Sequence, residues 1–182
     1  MNGVKKLTLI AAATGVLLAQ GASTFAADGQ VNFNGSITDT TCTITNLTGG
    51  QMTVALGNVA KGSFKNVGDR SVPKRFVLQM TGCPTQGAKV IFSGPFVPNK
   101  DLIKLNDGGA QGVGVAIMTE DQSKSLISPA ADANGQPQDP QYVVTPDASG
   151  NASLAAVAMY ERVADVTSGT ANAVAYIHVS PN

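Results

Sequence analysis

Beyond residue 28 the chain is organised by alternation. Short runs rich in Val, Ile, Leu, Met and Ala occupy 52–56, 75–80, 89–92, 113–118, 154–160 and 171–179. Within 75–80, Phe76, Leu78 and Met80 share one parity, and Arg75 and Gln79 the other. That period of two marks a strand with one buried face. Gly49-Gly50, Gly57-Asn58, Gly68-Asp69, Gly94-Pro95, Asn106-Asp107-Gly108-Gly109 and 147–151 supply turn chemistry between the runs. Short strands at this spacing, with no sustained helical period, predict an all-β sandwich or barrel. The run 154–160 is Ala-rich, but Gly150-Asn151 ahead of it and its β surroundings place it among the strands. Pro129, Pro137 and Pro140 make 128–140 a long exposed loop in this reading. Neither an internal repeat nor a second domain is evident.

Two alternating segments near the ends are the most informative. In 31–38, Val31, Phe33, Gly35 and Ile37 form one row, and Asn32, Asn34, Ser36 and Thr38 the other. This is an amphipathic strand lying ahead of the first cysteine. Its pattern fits an ordinary first strand of the sandwich and equally a strand that docks on another molecule. Terminal segments stay loose unless something ties them down. At the other end, Ala173, Ala175, Ile177 and Val179 alternate with Val174, Tyr176, His178 and Ser180. The sequence ends at Asn182, so a further closing strand is not expected after this one. An edge left open in this way is a template for another chain's backbone.

The first residues change the compartment. Lys5 and Lys6 precede an apolar run over 7–19, and small residues follow. Basic, apolar and small segments in that order predict a secretory signal peptide. The run is shorter than the roughly 20 residues needed to cross a bilayer. Cleavage after Ala26 places Thr24 and Ala26 at the small-residue sites and leaves about 156 of the 182 residues, enough for one domain. Export makes the two cysteines, Cys42 and Cys83, an expected disulfide.

Composition narrows the partners. Charged residues are 13% of the chain, against about 25% in typical soluble domains, and net charge is zero. Nucleic acid and anionic membrane therefore lack an electrostatic basis. Low surface charge also removes a defence against self-association, which suits a polymerising protein.

The chain resembles the pilins of the chaperone–usher family, in particular type 1-like major fimbrial subunits. The matching residues are 29–37 leading to Cys42-Thr43-Ile44, then 54–59 with Phe64, 76–83, 112–117, 158–160 and 167–175. No one of these is specific; their order and their placement around two cysteines are. The resemblance implies an incomplete immunoglobulin-like sandwich of six strands, missing the seventh. It implies a signal peptide over 1–26, a donor-strand extension over 27–40 and the pilin domain over 41–182. Val31, Phe33, Gly35 and Ile37 are then the inserting residues, with Gly35 where the groove leaves no room for a side chain. Ala173, Ala175, Ile177 and Val179 are the edge of the acceptor groove. The partners implied are neighbouring pilin subunits, a periplasmic chaperone that fills the groove first, an outer-membrane usher, and a host-surface receptor met through the fibre. One departure stands out. The family usually has Tyr as its penultimate residue, where this chain has Pro181, which cannot donate a backbone hydrogen bond.

Other functions are weakly supported. Catalysis needs partnered groups within reach, and the chain has a single histidine, His178, with no Gly-x-Ser-x-Gly elbow. Gly112-Val113-Gly114 lacks the strand–turn–helix setting of a phosphate loop. Glu120, Asp121, Glu161 and Asp165 read as ordinary loop and strand charges. No catalytic residue, metal site or cofactor is expected. A minor or adaptor fimbrial subunit, or a secreted single-domain carbohydrate-binding module, is the alternative, but the sequence holds no Trp and three Tyr for a sugar platform.

Overall fold

The computed structural model describes residues 42–128 and 142–182. They form eight strands, every ladder between them antiparallel: β1 (Thr43–Ile44), β2 (Lys74–Thr81), β3 (Ala88–Ser93), β4 (Ile103–Lys104), β5 (Val113–Thr119), β6 (Tyr142–Val144), β7 (Ala152–Arg162) and β8 (Tyr176–Pro181). One sheet has the order β1-β2-β7-β5-β4 and the other β6-β3-β8. Of the six runs expected as strands, five are laddered, as β2, β3, β5, β7 and, in part, β8; the additional ladders are β1, β4 and β6, two or three residues long at sheet edges. Edge amides are readily satisfied by a loop that runs alongside them. Among the described residues no helix is long and apolar enough to cross a membrane.

The core lies between the sheets and follows from the alternation. Leu78 and Met80 of β2, Val90 and Phe92 of β3, Val115 and Ile117 of β5, and Leu154, Ala156 and Ala158 of β7 belong to one buried cluster. Phe76 meets Phe92 edge-to-face at 6.0 Å, joining the two sheets. β7 is central in its sheet and buried on both faces. Its Val157 and Met159 pack on the outer side with Ala116 of β5 and Leu102, which a loop carries over the sheet. Double burial is why 154–160 lacks a clean alternation, and why its alanines belong in a strand. Cys42 and Cys83 are joined in a disulfide beside β1 and β2.

Two expected strands differ from the ladders observed. Residues 52–56 alternate between half-buried and exposed but join no ladder, and of 171–179 only the part from Tyr176 onward does. Alternation records which side faces the core; a ladder also needs a neighbour. The expected loop 128–140 lies outside the described residues except for Ser128, which is buried rather than exposed.

Candidate functional site

The two unladdered segments define the site. Met52, Val54, Leu56 and Val59 on one, and Ala171, Ala173 and Ala175 on the other, are half-buried and pack against the main core. Ile177 and Val179 continue the second row into β8, where they stand opposite Phe92 and Val90. Thus Ala173, Ala175, Ile177 and Val179, singled out from sequence, do form one row against the core. β8 is the edge of its sheet: β3 takes one side, and among the described residues no strand takes the other. Likewise, among the described residues no backbone hydrogen bond ties 52–59 to a neighbouring strand. An extended segment with apolar side chains turned inward and unpaired amides is an incomplete sheet edge.

At one end the segments line a common cavity of about 480 Å³. Gly57, Asn58, Val59 and Phe64 form one wall, and 166–172 the other, over a floor of Ala110, Val113 and Tyr160. Tyr160 comes from β7, and its hydroxyl donates to the Ala171 carbonyl at 2.7 Å, tying the second wall to the opposite sheet. Burial pushes the phenol's pKa up, so it keeps this proton. The second wall also hangs on the loop before β5. Ala110 N–H donates to Thr170 O (2.7 Å), and Gln111 N–H to the Thr167 hydroxyl (2.9 Å). This approach requires Gly112, whose φ is +80° and whose added Cβ would overlap the Asp165 carbonyl.

The remaining residues flagged from sequence are accounted for locally. His178 Nε2 and Ser93 Oγ share a hydrogen bond of 2.6 Å across β8 and β3. Glu161 pairs with Arg70, Glu120 with Arg75, and Asp165 with Arg162. The Asp121 carboxylate closes its own turn, accepting from the Thr119 hydroxyl and from the Ser123 hydroxyl and N–H. Pro181 sits opposite Ala88 in the ladder, and Asn182 N–H donates to Gly87 O at 3.1 Å. Among the described residues no cluster of three or more His, Cys, Asp or Glu is placed to hold a metal ion. Val31, Phe33, Gly35 and Ile37 lie outside the described residues. Sequence reasoning missed the wall at 52–59 as a partner of the second row, and missed Tyr160 and Arg162. The first was legible as a parity of Met52, Val54 and Leu56; the others carry no local signal.

A sandwich with two apolar-rowed edges that no strand pairs among the described residues, flanking one cavity, defines a class: an immunoglobulin-like domain short of a strand. The comparisons place the chain within that class. The family model for fimbrial protein matches residues 31–181, and the chain belongs to that family. It is 32% identical over 177 residues to the type-1 fimbrial protein subunit of Serratia marcescens, covering 93% of this chain and 95% of that one. It is 35% identical over 128 residues to the probable major fimbrial subunit LpfA of Escherichia coli O157:H7, with 67% and 68% covered. Its fold is similar to a subunit of a chaperone–usher pilus (TM-score 0.60, 21% identity, 86% and 96% covered). The P pilus rod subunit PapA gives a TM-score of 0.59 at 20% identity, with 76% and 97% covered. The chain is a structural subunit of a bacterial surface fimbria, with the incomplete immunoglobulin-like fold of chaperone–usher pilins.

Proposed function

We propose that this subunit polymerises by strand exchange. The strand at 31–38 leaves its own molecule and fills the groove of a neighbouring copy between 52–59 and 171–179. The observation that carries this reading is the pair of edges, with inward apolar rows, that no strand pairs among the described residues. An added strand pairs both sets of amides, and its alternate side chains complete the core. Val31, Phe33, Gly35 and Ile37 are the inserting row, and Ala173, Ala175, Ile177 and Val179 edge the groove that receives it. Residues 1–26 are removed on export, 27–40 form the extension and 41–182 the acceptor domain. Before assembly a periplasmic chaperone occupies the groove, and an outer-membrane usher presents the next subunit. Pro181 costs the last contact with that chaperone one backbone donor. The role is structural rather than catalytic.

Deletion of 28–38 tests the reading. The truncated subunit should still be exported and held by its chaperone, yet fail to extend a fibre seen by electron microscopy. Incorporation at the normal level would sink the mechanism. Gly35→Leu is expected to slow assembly, because a packed groove tolerates added volume poorly.

A further inference from the structure

We infer that Arg162 is a positioning residue that holds the cavity end of the groove at the width a strand needs; the inference rests on the strand-exchange reading above. The problem it addresses is physical. Val59 and Phe64 on one wall and Val166 and Ala171 on the other are apolar, and an empty groove gains by letting such surfaces meet. Among the described residues no backbone hydrogen bond joins the two walls directly. Something outside the apolar lining must set their separation.

Arg162 is placed to do so. It ends β7, and its side chain is 17% exposed. One Nη donates to the carbonyls of Phe64 (3.0 Å) and Lys65 (2.6 Å), which belong to the first wall and its continuation. Nε donates to the Ala164 carbonyl (2.9 Å) and the other Nη to the Asp165 carboxylate (3.0 Å), immediately before the second wall begins at Val166. The backbone of the same residue adds two bonds to the first side: Gly68 N–H to Arg162 O (2.8 Å) and Arg162 N–H to Asp69 O (2.9 Å). Asp69 in turn accepts from the N–H groups of Lys65 and Asn66, keeping that loop closed. A rigid, planar cation therefore bridges the Phe64 and Lys65 carbonyls on the first side and the Ala164 carbonyl and Asp165 carboxylate just ahead of the second wall. Lysine, a point charge on a flexible stem, cannot reproduce that span. Charge-assisted bonds are stronger than neutral ones, so the spacer can resist closure.

The test is strand uptake by the full mature chain, refolded as a monomer, with a fluorescent peptide spanning 28–38 as the probe. The wild type should bind the peptide, and Arg162→Lys should bind it more slowly by about tenfold, the scale of losing one such bond net. Once filled, wild type and variant should melt within a few degrees of each other, because the inserted strand then sets the width. A role in general stability would instead lower the melting of empty and filled forms alike, and that result overturns the inference. Equal uptake rates overturn it too. Should empty Arg162→Ala not refold, co-refolding with the peptide decides between the same two outcomes from the melting of the filled form. A wild type that takes up no peptide sinks the strand-exchange reading itself, whatever the variants do.

Discussion

Asp121 shows how much a single turn residue settles without reaching the groove. Its carboxylate is drawn down from its ordinary 3.8 to about 2, first by the Thr119 hydroxyl and then by the hydroxyl and N–H of Ser123. A folded-state pKa below the unfolded one means the carboxylate stabilises the fold above about pH 4, and that contribution fades as pH falls through 2. Asp121→Asn should therefore lower the denaturation midpoint at neutral pH while flattening its decline between about pH 4 and 2. Parallel acid profiles for the two proteins would show the turn does not carry this dependence. Gly112 and Tyr160 act differently, through space. One lets 165 approach the loop before β5, and the other ties Ala171 to the far sheet.

At the scale of elements, the contrast is between strands with neighbours and segments with none. β2, β5 and β7 form continuous ladders, and β8 is laddered on one side by β3. The segments 52–59 and 173–175 have the same inward rows and, among the described residues, no ladder. Amide exchange follows local opening rather than global stability. Amides of 52–59 and 173–175 should exchange quickly in the free subunit and become protected when a strand peptide is added, while those of β7 stay slow throughout. Slow exchange at 52–59 before any addition would mean the edge is already paired. The inward row from Ala173 to Val179 was legible in sequence, because parity alone reveals it. The opposing row was not assigned, since nothing at Met52, Val54 or Leu56 says which distant strand they approach.

For the whole molecule, the disulfide and the incomplete core work together. Cys42–Cys83 closes a separation of 41 residues, worth about 4 kcal/mol in the chain-entropy model. It ties the start of β1 to the chain just past β2, and the wall at 52–59 lies within the loop it closes. Replacing both cysteines by serine should lower the urea midpoint of the monomer substantially and relatively less that of a strand-filled subunit, because the filled subunit has a complete core. Unchanged monomer stability would place the bond outside the cooperative unit.

The alternating pattern was enough to establish an all-β sandwich or barrel, the parity of Phe76, Leu78 and Met80, and an inward row ending at Val179. Local chemistry decides these, since side-chain period and turn residues act over a few positions. The disulfide was equally legible, from export and an even cysteine count. Tertiary structure alone decided that 52–59 and 171–175 have no ladder partner among the described residues, that their ends share a cavity over Tyr160, and that Arg162 bonds the carbonyls of Phe64 and Lys65 on one side and of Ala164 on the other. The bond from Arg162 to Phe64 joins residues 98 positions apart, and only the folded chain places them within bonding distance.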